Sequence, residues 1–189
     1  IDVPNETRSV SNAELDYIID EENGTIQLYL NATGKMNQTF YYTKLKKNDP
    51  QQRLTSILNK TSGLNWIIDS LRINEESSDI IATSELPISA FSKIGSKTLY
   101  DLSFILSPEK ICGLFQNNDH PLFNSQILIS LHFNGTPYLK KKLENISVEN
   151  NTIKGKFILE TPNEEDSFED SSFYLNWNSF FTKPLTIQN

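Results

Sequence analysis

The sequence predicts a mainly β fold, β-sandwich-like and built of antiparallel meanders, with one or two short helices; an α+β layer is the alternative. Three observations carry this. Many short segments alternate apolar and polar residues with period two. Turn pairs separate them, at Asn23-Gly24, Asn134-Gly135 and Asn150-Asn151. A single segment combines helical spacing with stop signals at both ends.

Residues 1–13 are polar and read as a flexible N-terminal lead-in, with 14–189 as one β-rich globular domain. Residues 15–20 (LDYIID) read as a strand, and Asn23-Gly24 turns it into 25–30 (TIQLYL). Residues 31–37 (NATGKMN) read as the next turn, returning through a third strand at 38–46 (QTFYYTKLK). The period then changes. Asp49 is placed to cap a helix and Pro50 to begin it, since the first turn needs no donor from that position. Leu54, Ile57 and Leu58 share one face, and Gly63 terminates the helix.

Residues 64–73 fit neither period, while 79–88 read as extended up to Pro87. In 97–106, Tyr100, Leu102, Phe104 and Leu106 face one way. Ser107-Pro108-Glu109 opens a short helix ending at Gly113, and 114–123 form a loop. A second meander follows. Residues 125–133 put Ile127, Ile129, Leu131 and Phe133 on one face, Asn134-Gly135 leads into 136–148, and Asn150-Asn151 leads into 152–160. A two-residue loop there pairs Glu149 with Thr152, Val148 with Ile153, Ser147 with Lys154 and Asn145 with Lys156. Residues 163–171 form an acidic loop and 172–181 a final aromatic strand.

The chain has 189 residues, enough to bury a substantial core. Its net charge of −7 argues against binding nucleic acid, which rewards a cationic face. No run approaches the roughly 20 apolar residues of a membrane-spanning helix. The single cysteine, Cys112, forms no internal disulfide and reads as a buried thiol.

Eight Asn-x-Ser/Thr triplets occur, at Asn5, Asn23, Asn31, Asn37, Asn59, Asn134, Asn145 and Asn150. With 20 Asn and 34 Ser plus Thr, composition alone predicts about three or four such triplets. Asn-Gly-Thr turns explain part of the excess, because a turn followed by a Thr-led strand writes the triplet automatically. The remainder predicts glycosylated surface positions in a secretory lumen or outside the cell. A leader already removed before Ile1 fits that expectation.

Catalytic signals are weak. Glu164, Glu165, Asp166, Glu169 and Asp170 match no calcium-loop spacing and read as a solvated loop. His120, His132 and Cys112 supply too few ligands for zinc. A Cys112–His120 nucleophile pair would lack an orienting third group. Lys140, Lys141 and Lys142, with Lys154 and Lys156, are dispersed over both faces of their strands. No metal or cofactor is expected. Near the end, Phe180 and Phe181 beside Pro184 could form an exposed docking patch.

The expected role is a non-catalytic lumenal or extracellular glycoprotein module that binds a protein partner. An accessory subunit of a membrane-bound complex in the secretory pathway is one form of it. The alternatives are an intracellular scaffold subunit, a carboxylate-based hydrolase and a small lipid-binding protein.

Overall fold

A computed structural model describes residues 11–45, 49–105, 125–139, 146–159 and 185–188. The described chain is mostly strand, in two sheets, with two short helices. The larger sheet has seven strands, introduced here in chain order. These are β1 (Ser11–Asp20), β2 (Thr25–Thr33), β3 (Ile67–Ile73), β4 (Ser77–Glu85), β7 (Ser125–His132), β9 (Ile146–Glu149) and β10 (Thr152–Leu159). Their spatial order is β3-β4-β2-β1-β7-β10-β9. The smaller sheet orders β5 (Phe91–Ile94), β6 (Lys97–Tyr100), β11 (Leu185–Gln188) and β8 (Thr136–Tyr138) side by side. The helices are α1 (Gly34–Leu45) and α2 (Pro50–Ser62).

Alternation makes the large sheet one-sided. Ala13, Leu15, Tyr17 and Ile19 of β1 lie opposite Ala32, Leu30, Leu28 and Ile26 of β2, and all eight are buried. The same face continues through Ile80 and Ala82 of β4 and Ile127, Ile129 and Leu131 of β7. Each fully buried Leu or Ile contributes roughly 1.5–3 kcal/mol relative to exposure. One core joins this face to both helices and to Tyr100, Leu185 and Ile187 of the small sheet. The Tyr100 and Phe133 rings meet at 5.3 Å between centroids, tilted by 57°, within the favourable range for aromatic pairs.

Several sequence expectations are met residue by residue. The Asp49 side chain accepts from the backbone N–H of Gln51 and Gln52, Pro50 opens α2, and Gly63 ends it at φ 74°. Leu54 and Leu58 face the core, with Ile57 packed against it. The β9–β10 register pairs Glu149 with Thr152, Val148 with Ile153 and Ser147 with Lys154. Asp49→Ala should cost about 1 kcal/mol through the lost cap. Gly63→Ala should cost about 1 kcal/mol through left-handed backbone strain. Chemical denaturation midpoints check both.

Other expectations are corrected. Residues 31–37 are not a turn and 38–46 are not a strand: β2 runs to Thr33, and α1 follows directly. Met36, Asn37 and Phe40 are buried in α1, with Tyr41 packed beside them. That spacing belongs to a helix face, and the polar Asn37 inside it disguised the period. The first strand begins at Ser11, inside the expected lead-in, and the strand within 97–106 ends at Tyr100. The second meander is also broken. β8 leaves β7 after Asn134-Gly135 and pairs with β11 in the other sheet, so β7 pairs with β10 instead. Pro137 suits this position, because β8 is an edge strand with no obligation to donate on both sides. The β1–β7 pair is parallel, so the sheets are not wholly antiparallel. The expected short helix at 107–113, the loop at 114–123, the acidic loop and the final aromatic strand lie outside the described residues.

The β3 edge is covered rather than bare. Gln51 donates to the Ile68 carbonyl at 3.2 Å and Lys44 to the Ile73 carbonyl at 2.7 Å. A register shift between Ile68 and Ser70 kinks the strand as well. Such devices discourage pairing with another chain's edge.

Candidate functional site

Two regions of the fold carry the candidate chemistry. The first is the rim where β1, β7 and β10 meet their turns. Parallel pairing of β1 with β7 brings the ends of both strands to the same side of the sheet. Thr152 of β10 sits beside His132 there. The turns at Asn23, Asn134 and Asn150 therefore share one rim, although they are far apart in sequence, and all three side chains are exposed.

Asp20 organises this rim. It accepts from the backbone N–H of Glu22 at 3.1 Å, from that of Asn23 at 3.0 Å and from the Asn23 side-chain amide at 2.7 Å. The Asn23 side chain, then its backbone N–H, and more weakly the Asn134 side chain hold the Asp20 carboxyl below its ordinary value. The resulting stability is present above the unfolded carboxyl range and is lost as pH falls through it.

Beside it lies a polar link between the sheets. The buried Glu21 carboxylate accepts the Tyr100 hydroxyl and pairs with the Lys93 ammonium at 3.2 Å. Burial pushes the Tyr100 hydroxyl pKa up, and the hydrogen bond and charge of Glu21 push it further. The folded state then keeps a proton that the unfolded chain releases. That contribution is complete below the ordinary tyrosine value of about 10 and is lost as pH rises above it. Stability should therefore decline from about pH 10 upward. In an ultraviolet titration followed beside circular dichroism, one tyrosinate component should appear only with unfolding, and Tyr100→Phe should remove it.

The second region is the far face of the large sheet, which neither the described helices nor the described core residues cover. Glu14, Asp16, Ile18 and Asp20 of β1 point there, opposite Asn31, Tyr29, Gln27 and Thr25 of β2. Asp79, Ile81, Thr83 and Glu85 of β4 continue it. Ile18 is 40% exposed, Tyr29 38% and Ile67 69%. Sequence alternation contained this signal: the residues between the core positions of LDYIID and TIQLYL are the ones displayed.

The remaining sequence-derived sites are distributed as follows. Asn31 is half-buried in β2, and its amide donates to Asp79 Oδ1 at 2.7 Å. Asn59 is half-buried in α2, and its side-chain oxygen accepts the Trp66 backbone N–H at 2.8 Å. The surface position expected for Asn37 is corrected: the residue is fully buried. Its amide donates to the Asn74 and Glu75 carbonyls at 2.9 and 3.1 Å, and its oxygen accepts the Ser78 hydroxyl. His132 lies on the open face, as its alternation predicts, against the Thr152 hydroxyl at 3.0 Å. Asn5, Asn145, Cys112, His120, Phe180, Phe181 and the 140–142 lysines lie outside the described residues.

Among the described residues no three His, Cys, Asp or Glu side chains group as a metal site. No described helix is long and apolar enough to cross a membrane. No protein-family model matches the chain, and no curated protein matches it either.

Proposed function

We propose that this chain is a non-catalytic lumenal or extracellular glycoprotein module that mediates protein interaction, as a secreted binding domain or as an accessory subunit of a secretory-pathway membrane complex. The observation that carries the interaction reading is the open face of the seven-stranded sheet. It displays Ile18, Tyr29 and Ile67 to solvent among polar neighbours. Large apolar side chains displayed on one sheet face are a feature of protein-interaction surfaces.

The lumenal reading draws support from the shared rim. Asn23, Asn134 and Asn150 are exposed at turns, where a transferase can reach them and a glycan can extend into solvent.

Endoglycosidase treatment of the protein from its own cells tests the assignment. A fall in apparent mass is expected, with one step removed by each of Asn23→Gln, Asn134→Gln and Asn150→Gln. An unmodified protein would overturn the lumenal reading and favour an intracellular scaffold.

A further inference from the structure

We propose that the open face of β3, β4, β2 and β1 is the docking surface for a cationic amphipathic helix of a partner protein. This rests on the interaction-module reading above and names the partner's chemistry.

Cross-strand register places the residues in rows. Ile81 and Tyr29 are direct neighbours. Ile18 lies opposite Gln27, one row from Tyr29, and Ile67 lies opposite Thr83 in that same row. These four link diagonally from β3 to β1 as an apolar strip, with Thr83 and Gln27 between Ile67 and Ile18. Carboxylates bound it on both sides along the strand direction. Asp79 and Glu14 flank Asn31 in the row beyond Tyr29. Glu85 and Asp20 flank Thr25 at the opposite end. Asp16 sits beside Tyr29, and Asp69 joins the same face through the Thr83 hydroxyl at 2.6 Å. Among the described residues of these four strands, Arg72 is the one cation, and it lies opposite Asp79 at the β3 end of the Asn31 row, leaving Glu14 as that margin's carboxylate with no described cation opposite it. Lys154 and Lys156 of β10 lie beyond β7 on the same face.

An apolar strip between two acidic margins selects its complement: an apolar ridge with cations on both flanks. The dimensions agree with a helix laid across the strands. The margins are six residues apart, which is about 20 Å at strand rise. A helix about 10–12 Å across with lysine or arginine arms on both sides spans that distance. From β3 to β1 are three strand spacings, about 14 Å, which matches roughly ten helical residues. A second copy of the chain fits poorly. A two-fold parallel to the strands sets each acidic margin against itself, and one across the strands sets one acidic margin against the other. Docking also requires Asn31 to stay unmodified.

The test uses the full chain and a synthetic 14-residue Leu/Lys amphipathic helix, with a Leu/Glu helix as control. The Leu/Lys helix should bind, more weakly as salt rises, and the Leu/Glu helix should not. Asp16→Lys with Asp79→Lys should weaken binding about tenfold or more. Ile18→Ser or Tyr29→Ser should weaken it about fivefold. The off-face pair Glu22→Lys with Glu76→Lys, which changes net charge equally, should shift it less than about twofold. Equal losses from both charge pairs, or no loss from the apolar variants, would overturn the proposal by reducing binding to net charge. A photo-crosslinking residue at position 29, with a control at position 148, then captures the native partner in cells. A basic amphipathic helical segment captured from position 29 supports the proposal. Capture from 148 alone overturns this face but leaves the module reading standing. No capture from either position overturns both, and a glycan on Asn31 overturns the docking face alone.

Discussion

Trp66→Ala should lower stability by about 3–5 kcal/mol, the cost of emptying a large aromatic site in a core that only partly collapses. Trp66 is buried at the junction of α2 and the large sheet. Its indole N–H donates to the Ser62 hydroxyl at 2.8 Å, and its ring lies 6.5 Å from that of Tyr17 on the central strand. Its backbone N–H is held by the Asn59 side chain, so helix and strand are clamped at this residue twice. Ser62 in turn donates to the Leu58 carbonyl at 2.7 Å and accepts the Leu64 N–H at 3.2 Å. The hydroxyl therefore stays satisfied without the indole, and the loss is mainly packing. Trp66→Phe separates the terms: it keeps an aromatic ring, gives up the indole donor and should cost about 1–2 kcal/mol. Urea midpoints at unchanged slope check both variants.

Much of this fold could be read from the chain, and the failures share a cause. Where burial was strictly periodic, the reading held. Leu15, Tyr17 and Ile19 alternate, as do Ile127, Ile129 and Leu131, and each set lies on one buried face. Helix α2 declared itself at both ends through Asp49, Pro50 and Gly63, because caps are local chemistry. The α1 stripe failed because one of its buried positions is an asparagine, and a strand-prone run of aromatics and threonines follows. Tertiary contact overrode local propensity there. Which strands pair was less legible still. The parallel β1–β7 ladder joins residues more than 100 positions apart, and no turn signal specifies it. The Glu21–Tyr100–Lys93 link is of the same kind, joining a turn of one sheet to two strands of the other. The acidic and apolar open face was present in the alternation all along. Its meaning waited on strand order, which sets Tyr29 beside Ile81 and brings the carboxylates to opposite margins.

Asn37 is the position where the two levels conflict most sharply, and it carries the second large prediction. Asn37→Ala should cost about 2–4 kcal/mol, because three hydrogen bonds go and the Ser78 hydroxyl is stranded. Ser78 is fully buried and donates to the Asn37 oxygen. The Asn37 amide meanwhile fixes the β3–β4 turn through the Asn74 and Glu75 carbonyls. Nearby contacts add to the same clasp: Tyr41 donates to Glu75 at 2.8 Å, and Lys44 donates to the Ile73 carbonyl. Asn37→Gln should also destabilise, since an extra methylene enters a fully buried, hydrogen-bonded site, at about 1–3 kcal/mol. That substitution is the ordinary means of deleting a glycosylation site, so its effect here would be misread as a lost glycan. Thr39→Ala deletes the triplet while keeping Asn37. It should leave electrophoretic mobility unchanged, whereas a mobility step at Thr39→Ala would mean that the buried asparagine carries a sugar and that α1 does not pack as described. An asparagine in this position serves as a helix-to-turn clasp, and the triplet around it follows from the Thr two residues on.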